Sequence, residues 1–128
     1  MNTIERLYSE GFHIFRAGGA IGFDRIAADA VLALRQKHSD VQLHIFVPCL
    51  EQNKYFSKEE NEHYMAQIKG ADKIMCISEH YTQWCMHQRN RALVDGAEVL
   101  VCYLRKNSGG TAYTVNYAIK HEKRVIRL

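Results

Sequence analysis

The chain has 128 residues, 47% of them hydrophobic, which is enough for one domain with its own core. Its formal net charge is +3, with both signs interspersed; this argues against an extended nucleic-acid stripe but suits an anionic small ligand. No apolar run reaches the ~18 residues of a membrane span, and MNTIERLYSEGF lacks the basic-then-apolar order of a signal peptide, so a cytoplasmic location without membrane partners is expected.

Residues 2–10 pattern as a helix that stops at Gly11, and FHIFRA (12–17) as a strand. The spacing of Ile26, Ala30, Val31 and Leu34 predicts a helix over 22–38 with these residues inward. VQLHIFV (41–47) reads as a strand that Pro48 ends. After a polar loop, Ser57 and Glu60 have the spacing of a capping box. KIMCI (73–77) is a strand, about 84–95 a helix, and EVLVCYL (98–104) a nearly continuous apolar strand. A helix follows over about 110–122 with Thr111, Val115, Ala118 and Ile119 inward, and RVIRL closes the chain as a strand. This alternation predicts a Rossmann-like three-layer α/β/α domain over 1–128. About five mainly parallel strands should form one sheet covered on both faces, with the ligand crevice beyond their carboxyl ends.

Gly18, Gly19 and Gly22 follow the first strand and open a helix. Glycines there either turn the chain or let backbone N–H groups reach an anion, and the motif by itself leaves both readings open. A second cluster, SGGTAYT, stands in the same relation to strand 98–104, so Gly109, Gly110, Thr111 and Thr114 should face the same crevice. The third element is MHQRNRALVD: Arg89 and Arg91 flank Asn90, and since residues two apart point to different faces, Arg89 is assigned to the crevice. Asp24 either complements the helix dipole or holds a ribose hydroxyl. Asp95 reads as a structural partner, one of the arginines being its candidate, rather than as a catalytic acid.

The seven histidines show no metal-ligand spacing, so no metal site is proposed. None of the four cysteines forms a CxxC pair; Cys76 and Cys102 read as small buried hydrophobes, and Cys85 as a packed thiol rather than a reactive one. Tyr55, Phe56, Tyr81 and Trp84 fall along the presumed crevice edge, where packing is preferred over base stacking.

The segments AGGAIGFDRIAADAVLAL, HIFVPC, CMHQRNRALVD and GGTAYTVNYAIKHEKRVIRL resemble the YpsA-like group of the SLOG superfamily, in order, from Gly11 to Leu128. The resemblance implies a Rossmann-like fold and a nucleotide or nucleotide-derived ligand, with no established reaction. It sets two departures in view. Members of that group usually begin with a further central strand ending in a TGHR-like loop, where this chain has MNTIERLYSEG; the sheet then closes differently, a partner chain or second copy supplies pairing, or the start has been lost. In the related Lonely Guy hydrolases an MHxRK segment is similar to Met86–Asn90 here, and the glutamate of their GGxGTxxE segment falls on Asn116, which cannot act as an acid or base. The leading reading is therefore binding or sensing of a nucleotide derivative. N-glycosidic cleavage through Asp24 or Glu79, single-stranded DNA binding, and a ligand-free scaffold are the alternatives.

Overall fold

The computed structural model describes residues 2–20, 22–103 and 110–128. Five helices and five strands alternate: α1 (Asn2–Ser9), β1 (Ile14–Ala17), α2 (Phe23–Lys37), β2 (Gln42–Cys49), α3 (Lys58–Gly70), β3 (Lys73–Ser78), α4 (Cys85–Asp95), β4 (Val99–Cys102), α5 (Gly110–Lys120) and β5 (Arg124–Arg127). The α3 capping box forms as the spacing predicts: Ser57 Oγ accepts from the Glu60 N–H and Glu60 Oε1 from the Ser57 N–H.

All observed strand pairs are parallel, but they make two sheets instead of one: β1-β2-β3 and β4-β5. The expected single five-stranded sheet is corrected on this point, because no described strand joins β1 to β4. Between them lies a cavity of about 520 Å³, lined by β1, β4, α1 and the near faces of α2 and α4. Side chains span it at its ends. Glu10 and Arg124 form an ion pair at 2.7 Å, and Arg16 donates to the Ala92 carbonyl at 3.2 Å.

β2 is the central strand of the larger sheet and carries most of the core. Leu43, Ile45 and Val47 point to one face and pack with Ala28, Val31 and Leu34 of α2, Ile4 of α1 and Tyr64 of α3. Leu43 and Ile45 are fully enclosed; each contributes about 1.5–3 kcal/mol by leaving water. The opposite face of β2 meets α4, and α5 packs on α4, β4 and β5.

Four local expectations are corrected. The buried stripe of α2 is Ala28-Val31-Leu34, while Ile26 lies 58% exposed, because the helix is rotated to seat Ala28 against the sheet. On α5, Ala112 joins Val115 and Ala118 inward, and Thr111 and Ile119 face solvent. Pro48 lies within β2 instead of ending it. Even-numbered β2 residues turn their backbone groups toward β1, which has already stopped at Ala17, so the missing N–H leaves no ladder bond unmade. β3 is an edge strand with α4 as its main helical neighbour, so Ile74, Met75 and Cys76 are exposed; the thiol of Cys76 is not a core group.

Candidate functional site

β1 and β2 diverge past Ala17, leaving two carbonyls without ladder partners, those of Gly18 and Phe46. Arg89 fills this fork. Its Nη1 donates to the Gly18 carbonyl at 2.5 Å, and more distantly to the Phe46 carbonyl (3.4 Å) and Gln52 Oε1 (3.3 Å); its Nε donates to Asn90 Oδ1 at 2.8 Å. The side chain is 4% exposed. Burial lowers its pKa, and the neighbouring Asp24 opposes that shift. Of the two arginines, Arg89 is buried and Arg91 is exposed. The bonds of Arg89 go to protein acceptors, however, and Asn90 acts by orienting it.

The three glycines of the β1–α2 turn have separate explanations. Gly19 and Gly22 adopt φ of +71° and +94°, which other residues adopt at a cost. Gly18 does not. A Cβ on Gly18 would stand 2.7 Å from Arg89 Nη1 and 2.7 Å from Asp24 Oδ2, so this glycine makes room for a guanidinium and a carboxylate that converge on it. Both turning and close approach are at work, with the approach made first by protein groups.

Asp24 occupies the first turn of α2, whose N-cap is Gly22 and carries no side-chain cap. Burial raises its carboxyl above the usual aspartate range, against the pull of Arg89 and of the Ala20 N–H. It lines the cavity beside Gly18.

α4 also reaches the second glycine cluster. The His87 ring lies 4.2 Å from that of Tyr113 in the first turn of α5, and its Nδ1 is buried with no hydrogen-bond partner among the described residues. Gly110 begins α5, Thr111 is exposed and Thr114 is half-buried; Gly109 lies outside the described residues. Arg89 and His87 therefore tie one helix to the residues after β1 and to the start of α5. Gln52, under Gly19 and against Arg89, was not anticipated, since a glutamine in a polar loop carries no signal of its own. Asp95 accepts from the Tyr117 hydroxyl at 2.6 Å, so its partner is a tyrosine and not an arginine. Phe56 packs edge-on to Tyr64, whereas Tyr55, Tyr81 and Trp84 are exposed. Cys85 is fully buried, as a packed thiol should be. Among the described residues no group of three His, Cys, Asp or Glu side chains could hold a metal, and no helix is long and apolar enough to cross a membrane.

A family model described as the YspA SLOG family matches residues 1–126. The chain belongs to the YpsA-type SLOG family. Among its relatives are the protein named "Uncharacterized SPbeta prophage-derived protein YoqJ" of Bacillus subtilis, 28% identical, with 91% of this chain and 75% of the relative covered. A UPF0398 protein of Bacillus licheniformis is 25% identical (96% and 69% covered), and the UPF0398 protein YpsA of Bacillus subtilis is 22% identical (95% and 69%). This SLOG chain is thus shorter in its match than the relatives it resembles.

Proposed function

We propose that the chain binds a nucleotide-derived small molecule across the carboxyl ends of β1 and β4. Asp24 takes sugar hydroxyls, and the first turn of α5, at Gly110, Thr111 and Thr114, takes phosphate with Gly109. Arg89 and Asn90 act from beneath, holding the Gly18–Gly22 turn in shape. The observation that carries this reading is Asp24. It is a carboxylate kept half-buried against its own solvation, beside a buried cation and on a cavity wall, which is the pattern of a group retained for a ligand. His87 Nδ1, buried beside α5 with no hydrogen-bond partner among the described residues, supports it as a second polar group.

Calorimetry with AMP, ADP-ribose, NAD and cyclic AMP tests the reading. At least one should bind, and Asp24→Asn should weaken it tenfold or more. Equal binding by Asp24→Asn, or no binding by any of the four at millimolar concentration, sinks it. Arg89 is a poor probe here because its loss orphans the Gly18 carbonyl.

The raised carboxyl of Asp24 also favours one second reading, N-glycosidic cleavage with Asp24 as general acid. Glu79, the other acid considered, is exposed beyond β3, and Asn116 is exposed on α5. Release of free base from nucleoside monophosphates by wild type and not by Asp24→Asn is the expected result under this reading; no release at high protein concentration removes it.

A further inference from the structure

β3 has the sequence of an interior strand and the place of an edge strand. Ile74, Met75, Cys76 and Ile77 form an unbroken apolar run, the pattern of a strand buried on both faces. Among the described residues only β2 pairs with it, and Ile74 and Met75, on its two faces, are 44% and 39% exposed. Edge strands are ordinarily blunted by charge, proline, a bulge or a covering loop. β3 carries one charge, Lys73 at its start, no proline, and a constant register with β2.

The outer edge of β3 offers backbone hydrogen-bonding groups. In a parallel pair the N–H and C=O of one residue point the same way, and successive residues alternate. The Asp72 N–H donates to the Leu43 carbonyl at 2.8 Å. Ile74, Cys76 and Ser78 therefore face β2, and Lys73, Met75 and Ile77 turn their backbone groups outward.

This edge is complementary to itself. Two copies of one edge meet about a two-fold axis normal to the sheet, which makes the strands antiparallel. Opposed residues of such a pair share a face, so even numbers oppose even and odd oppose odd. With Cys76 on the axis, Met75 opposes Ile77 of the second copy, Ile74 opposes Ser78, and Lys73 opposes Glu79, each twice. The adjacent registers fit less well: Met75 on the axis sets Lys73 against Ile77, and Ile77 on the axis sets Met75 against Glu79. Lys73 and Glu79 are both exposed, and neither forms an ion pair among the described residues.

We propose that β3 pairs with β3 of a second copy of this chain, antiparallel and centred on Cys76, giving one sheet with three strands from each chain. Met75 and Ile77 exchange backbone hydrogen bonds across the axis, the apolar run leaves water, and the two Lys73–Glu79 pairs set the register.

Sedimentation velocity of the full chain over a rising concentration series tests this. Wild type should show a monomer–dimer equilibrium. Lys73→Glu sets like charges opposite each other at both ends and should raise the dimer Kd about tenfold. Lys73→Glu combined with Glu79→Lys exchanges the charges and should restore it. Both residues are exposed, so the variants leave the core unchanged. Diamide reports the centre of the interface. It takes two electrons and two protons from the two Cys76 thiols, which join as a disulfide; Cα atoms of a non-hydrogen-bonded pair lie about 4.5 Å apart, within bridging range. Cys49, Cys85 and Cys102 are buried, so the covalent dimer should depend on Cys76 and form more slowly with Lys73→Glu. Four results overturn the proposal: a wild-type monomer at millimolar concentration, a dimer indifferent to Lys73→Glu, a charge exchange that fails to restore it, or a Cys76 disulfide that forms equally fast in both proteins.

Discussion

Gly18→Ala isolates the close approach at the site from the backbone demands of its neighbours. Gly18 does not have positive φ, so alanine there meets no backbone penalty and gains about 0.4–1 kcal/mol by restricting the unfolded chain. Against that, its Cβ would stand 2.7 Å from Arg89 Nη1 and 2.9 Å from Cζ. The guanidinium is pinned by the Gly18 carbonyl, Gln52 and Asn90, so it cannot swing clear without losing bonds. Overpacking of this kind costs about 1–3 kcal/mol, which outweighs the gain. With a urea m-value of about 2 kcal/mol/M, a net loss of ~1–2 kcal/mol lowers the unfolding midpoint by ~0.5–1 M. Gly22→Ala is the contrast: nothing lies within 4 Å of its Cβ, and its ~1–2 kcal/mol loss comes from φ alone. The decisive comparison is Gly18→Ala in an Arg89→Met background, where its cost should shrink by 0.5 kcal/mol or more through coupling. An undiminished cost there, or a Gly18→Ala protein as stable as wild type, would refute the reasoning.

Arg89→Met should itself cost about 3–5 kcal/mol in urea unfolding, because it strips a buried charged network and leaves carbonyls unpaired. Arg89→Lys should recover only part of this, since an ammonium cannot reproduce the fork. Asp24→Asn should raise the melting temperature at pH 7. Burial lifts the folded-state pKa, so the folded state binds the proton more tightly and the charged form weakens it; the gain should fade as pH falls through that raised value. Asp72 has the opposite sign. The Leu43 N–H and Arg35 hold its carboxyl below the usual range despite partial burial. Asp72→Asn should therefore lower stability at pH 7, with the difference from wild type vanishing in a melting series as pH drops through the depressed Asp72 value.

Element order was legible in the sequence because each signal is local. The Ser57–Glu60 spacing, Gly11 after α1 and the apolar runs of β2 and β4 act over a few residues, and the structure places all ten elements where they indicate. Helical periodicity set Arg89 and Arg91 on different faces, and the structure buries the first and exposes the second. The sequence singled out the glycines after β1, but not what Gly18 accommodates, since that depends on a guanidinium 71 residues away.

The chain's own residues determine the alternating α and β elements and the glycine-opened helices, because helix periods, caps and turns are decided by neighbours in sequence. Tertiary structure decided the rest: that β1 and β4 do not pair, that Pro48 costs β2 nothing, that β3 lies open, and that Arg89 bonds to Gly18 and Phe46. Each depends on which backbone edges meet across the fold, and a local pattern specifies how a strand is built without specifying what lies beside it.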